Sequence, residues 1–200
     1  MSTMIAKIGK IEVFQDDDGR VHWESGAAID ADGANGQKNV KHFAYRRDDH
    51  GLDLLQNAGY PDGDWRGVLL DRGDGEPLDD GHGNLYSQTT YAWKGRPIAT
   101  RYVDAKTVPY VVVNPIVRHH AVGVVIGCHA QVSFQGKTIE AVVADVSGAT
   151  RIGELSIRAA ELLEIPSSPK NGGVSAGVRF AMWPGRAAVI DEETYELQRA

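Results

Sequence analysis

Apolar and polar residues alternate along the first thirty positions of the chain, thin into glycine- and aspartate-rich stretches, and return as dense β-branched runs after residue 85. Ile5 to Phe14 and Val21 to Ile29 alternate with a period of two and are joined by the turn D-D-D-G, which predicts an N-terminal β-hairpin within residues 4–29. Lys38 to Tyr45 is polar with scattered apolar positions, and Gly51 to Ala58 reads as two helical turns stopped by Gly59, the two together forming a surface insertion. From Tyr60 to Asn84, Gly, Asp and Pro leave only Trp65 to Leu70 as a strand; the rest reads as long loops, which in compact domains are usually functional or mobile.

The second half of the chain is more regular. Leu85 to Trp93 and a run ending at Val103 read as strands around the turn K-G-R-P. Val108 to Val113 is an almost unbroken apolar strand, buried on both faces and closed by Asn114-Pro115. Val122 to Phe134 and Thr138 to Asp145 form a central hairpin through Q-G-K. Leu155, Arg158, Ala159, Leu162 and Leu163 then fall at helical spacing, predicting a helix from Glu154 to Glu164 that Pro166 ends. Val174 to Trp183 is the last core strand, and the polar tail 186–200 reads as a short helix or a loose end. The sum is a mainly β (α+β) chain of one domain, 1–200, with its core at roughly 85–185, one short helix and long surface loops.

Composition narrows this picture. A hydrophobic share of 42% supports a core, and 23 glycines favour a strand-rich fold with tight turns. A single cysteine, Cys128, excludes an internal disulfide, and its neighbours V-V-I-G-C-H-A mark it as a small buried hydrophobe rather than a nucleophile. The net charge of −6, with no basic cluster longer than Arg46-Arg47, argues against a nucleic-acid partner and suits a cationic one. Lys7, Lys10 and Glu12 interrupt the first fourteen residues, so that stretch is neither a signal-peptide core nor a membrane span, and no stretch reaches 18 apolar residues. The expectation is a soluble protein without membrane insertion, which reaches any extracellular or periplasmic glycan by another export route.

Two acids stand out by placement. Asp145 ends a strand and Glu154 opens the predicted helix, so regular elements would fix their separation, as general acid–base catalysis requires. Glycoside hydrolysis uses such a pair. The same two residues also fit simple roles, since a first-turn Glu is favoured by the helix dipole and Asp at a strand end is ordinary turn chemistry. Asp30 and Asp32, in I-D-A-D-G, point the same way if their strand continues; they fit a cleft wall or a turn, and the run lacks the remaining ligands of a calcium loop. Trp65, Tyr86 and Trp93 are candidate sugar-stacking rings, with core packing as the alternative. His119 and His120, read on a strand, face opposite ways, and no Cys/His spacing suits zinc; no metal and no cofactor are expected.

Four stretches in order resemble the family 75 chitosanases, the fungal-type endo-chitosanases: S-G-A-A-I-D-A-D-G (from Ser25), L-Y-S-Q-T-T (from Leu85), Y-V-D-A-K-T-V-P-Y-V-V-V-N-P (from Tyr102), and the Asp145–Glu154 block with G-E-L-S. The chain departs from the family at Ala144, where Gly usually precedes the catalytic Asp. The resemblance implies that Asp145 and Glu154 are catalytic, that Asp30, Asp32, Gln88 and Thr89 lie at the substrate cleft, and that the reaction inverts configuration; Trp65 and Tyr86 are expected to bind substrate beside them as stacking rings. The catalytic block also resembles the core of double-psi β-barrels, implying a six-stranded barrel of that kind.

The expected function is therefore endo-hydrolysis of β-1,4 bonds between glucosamine units, with a polysaccharide such as chitosan as partner. Two other readings stay open: a peptidoglycan-cleaving hydrolase or lytic transglycosylase, and a non-catalytic expansin-like binding barrel. Helix placement favours an ionised Glu154 as base with Asp145 as acid, and a buried hydrogen-bond donor beside Asp145 would reverse that assignment.

Overall fold

A computed structural model describes residues 1–36 and 42–199. In chain order the elements are β1 (Ser2–Ile8), β2 (Ile11–Asp16), β3 (Val21–Asp30), β4 (Tyr45–Arg46), β5 (Asn84–Leu85), α1 (Ile98–Arg101), β6 (Tyr110–Val113), α2 (Pro115–His120), β7 (Cys128–Phe134), β8 (Lys137–Val146), β9 (Glu154–Ser156), α3 (Ile157–Leu163), β10 (Val174–Ile190) and β11 (Glu193–Tyr195). The protein is mainly β. Its sheet runs β1-β2-β3-β9-β6-β8-β7-β10-β11, and a further pairing of β3 with β10 closes the six middle strands into a barrel. Within the ring, β3–β9 and β6–β8 are parallel and the other four pairs antiparallel.

The apolar runs read from sequence supply the ring. All four residues of β6 are buried, and the β7–β8 hairpin turns between Phe134 and Lys137. Val111, Val143, Leu155, Ile29, Val132 and Phe180 belong to the buried core of the barrel strands. Cys128 lies in this core, where burial pushes its thiol up to about 12, so it is a packing residue.

Several expected elements differ. Residues 5–14 are not one strand: the chain reverses at Gly9, whose φ of +58° suits a residue without a Cβ, so hairpin β1–β2 precedes the expected β2–β3. Because β3 is a barrel stave, the core begins well before residue 85. Of the helical turns expected at 51–58 only the second half forms: Leu52 and Asp53 donate to the carbonyls of Phe43 and Ala44, whereas Asn57 donates to Leu54, and Gly59 (φ +80°) and Tyr60 close the turn by donating to the carbonyls of Gln56 and Leu55. Residues 65–70 form a turn rather than a strand, with Val68 and Leu69 both donating to the Trp65 carbonyl and one bridge from Leu69 to Ser87. The run after Leu85 pairs only at β5 and at single bridges from Ser87 and Ala92, and residues 98–101 are the short helix α1. The expected polar segment 38–45 lies partly outside the described residues; its end, Ala44 and Tyr45, is buried.

His119 and His120 sit on helix α2, not on a strand; Pro115 opens that helix and the Asn114 side chain caps it by accepting from the Ile116 N–H. Strand β10 does not stop at Trp183 but bends through Pro184-Gly185 and continues to Ile190. The tail is neither helical nor loose: β11 pairs with β10, and Tyr195 is buried against Tyr91 and Trp93.

Candidate active site

One rung of the barrel crosses four strands in the order Ala28 (β3), Glu154 (β9), Val112 (β6), Asp145 (β8). Residues opposite one another in a ladder share a face, and all four line one cavity of about 300 Å³. Val112 stands between the two acids. Strands lie about 4.8 Å apart, so the Cα atoms of Asp145 and Glu154 are roughly 9–10 Å apart.

A bulge aims Asp145 into this cavity. Val111 pairs with Val143 but Val112 pairs with Asp145, which leaves Ala144 out of the ladder. In an unbroken strand Val143 and Asp145 would share the inward face; the extra residue moves Asp145 to the Val112 face, a use of bulges common beside active sites. The Ala144 carbonyl, freed from the ladder, accepts the Tyr91 N–H at 2.8 Å.

Glu154 is on strand β9 and not in a helical turn. Its pairing with both β3 and β6 holds it extended, and helix α3 starts only at Ile157, capped by the Ser156 hydroxyl accepting from the Ala159 N–H. The dipole argument for an ionised Glu154 therefore falls away. Burial, aided by the charge on Asp30, pushes the Glu154 carboxyl up to about 8. Among the described residues no side chain hydrogen-bonds it.

Asp145 differs in its partners. Its Oδ1 accepts the Thr90 N–H at 2.9 Å, the Thr90 hydroxyl at 2.8 Å and the Val146 N–H at 2.8 Å. Burial and the charge on Asp30 raise it to about 7 against these donors. Three donors on one oxygen favour the carboxylate form. These are buried donors of the kind on which the expected acid and base assignment turned.

Asp30 and Asp32 both join the cavity floor, but not by strand alternation: β3 ends at Asp30, and Asp32 lies in the turn that follows. Tyr110 donates to Asp30 Oδ2 at 2.9 Å, the Asp32 N–H donates to Asp30 Oδ1 at 2.9 Å, and Tyr45 donates to Asp32 Oδ1 at 2.9 Å. Burial lifts Asp30 to about 6 despite those bonds, while burial and then the charges on Asp30 and Asp145 raise Asp32 well above the carboxylate range. Both phenols are themselves raised by burial and stay protonated donors. Oxygens of Asp30, Asp32 and Asp145 lie within 4.8 Å of one another. Such a trio suits either shared protons or a hard divalent cation, and a search for Cys/His spacing could not reveal it.

The other expected binding residues are not brought to the cavity. Trp65 is buried, packed edge-on against Tyr60 and covered by the Arg66 guanidinium. Tyr86 meets Phe43 edge-on, Gln88 donates to the Arg66 carbonyl, and Thr89 is buried, donating to the Tyr91 carbonyl and accepting the Val103 N–H. Trp93 packs with Tyr91 and Tyr195. In these loops the rings build small cores in place of regular structure.

Residues that the sequence reading passed over complete the site. Thr90 follows Thr89 in the motif quoted above, and Tyr110 interrupts an otherwise aliphatic strand, a signal that its hydroxyl has a polar destination. Tyr45 and Asp53 come from the stretch read as a surface insertion, which is instead a cavity wall, and Arg151 and Lys170 add two cations to the lining. No protein-family model matches the chain, and a search of curated proteins finds no match.

Proposed function

We propose that the protein is an endo-acting glycoside hydrolase of the chitosanase type, cutting β-1,4 bonds between glucosamine units. The observation that carries this reading is the Glu154–Val112–Asp145 rung, which sets two buried acids of different hydrogen-bonding state across one cavity. Glu154, which no side chain among the described residues hydrogen-bonds and which burial raises to about 8, is the acid. Asp145, with three donors on Oδ1, is the base. In the reaction Asp145 takes a proton from water, the water oxygen bonds to the anomeric carbon, the glycosidic bond breaks, and Glu154 gives its proton to the leaving oxygen. A carboxyl separation of about 6.5–9.5 Å marks inverting enzymes, against about 5–5.5 Å for retaining ones, and inversion is the outcome we assign to this pair.

We also read the barrel as double-psi; its closed six-strand ring with two parallel pairs supports that topology. The likeness to family 75 chitosanases belongs to the same proposal. A second reading, a peptidoglycan-cleaving hydrolase or lytic transglycosylase, draws on Arg151 and Lys170 in the cavity, since cations there would meet the lactyl carboxylate of muramic acid. The test is reducing-end release from chitosan and from peptidoglycan, with D145N and E154Q as controls. Release from chitosan that disappears in both variants supports the proposal. Release from peptidoglycan alone moves the substrate, anhydro-sugar ends identify a lytic reaction, and binding without new ends identifies an expansin-like barrel.

A further inference from the structure

We infer that Asn114 is a positioning residue: its side chain holds the loop between Asp145 and Glu154 so that a cation, Arg151, faces the proposed acid in the cavity. The catalytic consequence rests on the glycan-hydrolase reading above; the placement itself does not. Asp145 and Glu154 share a rung, and the chain between them is the loop 146–153, whose residues Gly148, Ala149, Thr150 and Arg151 are exposed. An exposed loop keeps one course only where its backbone groups are tied down.

Asn114 ties them. It is 0% exposed and uses both ends of its amide. Oδ1 accepts the Ile116 N–H at 2.8 Å and caps α2, while Nδ2 donates to the carbonyls of Arg151 at 2.7 Å, Ala149 at 3.0 Å and, more weakly, Gly148 at 3.4 Å. The Ser147 hydroxyl adds a donor within reach of the same Arg151 and Gly148 carbonyls, at 3.0 and 3.1 Å. The Arg151 N–H donates to the Gly148 carbonyl at 3.0 Å, so both backbone groups of Arg151 are engaged. The far end of the loop is fixed as well. Gly153 accepts the Ala28 N–H at 2.9 Å, and a Cβ on Gly153 would sit 2.3 Å from Ser25 Oγ. Asn suits this position because Ser or Asp would still cap α2 but would not bring the amide N–H groups that the loop carbonyls use.

Arg151 and Glu154 line the same cavity. Burial raises the Glu154 carboxyl, the charges on Asp30 from β3, Asp145 from β8 and Asp53 from the loop wall raise it further, and Arg151 opposes them. Asp32 and Lys170 complete the charged lining, and the Lys170 Nζ donates to the Asp49 carbonyl at 3.1 Å. When Glu154 gives its proton to the leaving oxygen it becomes a carboxylate among other acids. A cation already in place stabilises that charge as it forms.

The test is a carbon-13 NMR titration of the full chain labelled at its glutamate carboxyls, with E154Q identifying the Glu154 signal. R151Q removes the cation and should raise the Glu154 midpoint; a nearby opposite charge moves a carboxyl by about 1–3 units and exposure screens it, so a rise of roughly half a unit to one unit is expected. N114S keeps a capping oxygen for Ile116 and removes the amide donors, and should move the midpoint the same way. S147A, at a half-buried position, should do so by a smaller amount. With R151Q already present, N114S should add nothing, since residues that act through one another are not additive. The basic limb of kcat/KM on glucosamine oligomers should follow the same shifts. A Glu154 midpoint that R151Q leaves in place, that N114S and S147A both leave in place, or that N114S moves as far in R151Q as in the unmodified chain overturns the inference. The expected midpoint shifts in a chain that cleaves no glycan would remove the hydrolase reading and leave the placement standing.

Discussion

Thr90 places two donors, its backbone N–H and its hydroxyl, on one oxygen of Asp145. Both bonds stabilise the ionised carboxylate, so on the proposed mechanism the residue that holds Asp145 in place also keeps it a base in a buried setting. Removing the hydroxyl with T90V takes away one charge-assisted bond, of about 1.5–3 kcal/mol. At about 1.36 kcal/mol per unit, the Asp145 pKa should rise by roughly one unit or somewhat more. The acid limb of the kcat/KM profile should move up accordingly, while T90S, which keeps the hydroxyl, leaves it in place. An unchanged limb in T90V would remove Asp145 as the titrating base.

On the proposed mechanism the unmodified protein should show a narrow, bell-shaped pH dependence of kcat/KM on soluble glucosamine oligomers, because that mechanism requires Asp145 ionised and Glu154 protonated. With the two acids at about 7 and about 8, the optimum falls between those values. The limbs report the acid cluster as a whole, since Asp30 faces both groups. D145N and E154Q should each lower turnover by at least about a hundredfold, the usual scale of acid–base catalysis. Either variant retaining near-normal turnover removes that residue from the mechanism.

The barrel was legible wherever apolar runs met turn residues: the Val108–Val113 strand and the Q-G-K hairpin carry their own signals. The D-x-D run marked two acids that do meet at the cavity, although through a turn after β3 and not through a continued strand. What could not be read was set by pairing at a distance. Nothing local distinguishes Ala144 as a bulge, because being left out of the ladder is a property of its partners Val111 and Val112. Glu154 looked helical because the spacing of Leu155 to Leu163 extends the pattern backward; the Ser156 cap was the available mark that the helix begins later. Aromatic residues misled for another reason. In segments with little regular structure they are what fills the interior, so Trp65 and Trp93 went to packing, while Thr90 and Tyr110 reached the acids.

Stability should fall as the pH rises through neutrality. Asp30, Asp145 and Glu154 sit at about 6, 7 and 8 when folded, above the ordinary 3.8 and 4.5 of these acids, so their contribution is complete below about pH 4 and is lost as pH climbs through 6 to 8. Asp16 works in the opposite sense. Hydrogen bonds from Ser2 and then Arg20 hold it at about 2, so its contribution is present above about pH 4 and is lost as pH drops toward 2. Maximum stability is expected near pH 4–5. Calorimetry at pH 4.5 and 8.5 should show a drop in Tm of at least about 5 °C, taking about 2–4 °C per kcal/mol for a chain of this size. D145N and E154Q should shrink that drop, because each removes a buried carboxyl that must otherwise ionise.

Ser156 joins three elements through one buried hydroxyl. It accepts the Ala159 N–H at 3.1 Å as the cap of α3, accepts the Tyr110 N–H at 3.0 Å, and donates to the Val108 carbonyl at 2.8 Å. S156A would leave two backbone N–H groups and a carbonyl without this partner. Loss of a helix cap costs about 0.5–2 kcal/mol and a buried polar group left unsatisfied about 1–3 kcal/mol, so a loss of roughly 2–4 kcal/mol is expected in urea unfolding. Because Tyr110 holds Asp30 from the strand that Ser156 anchors, S156A should also lower kcat more than it raises KM. S156T retains the hydroxyl and should recover much of both effects; a threonine variant as impaired as alanine would show that volume at this site, not the hydrogen bonds, sets the cost.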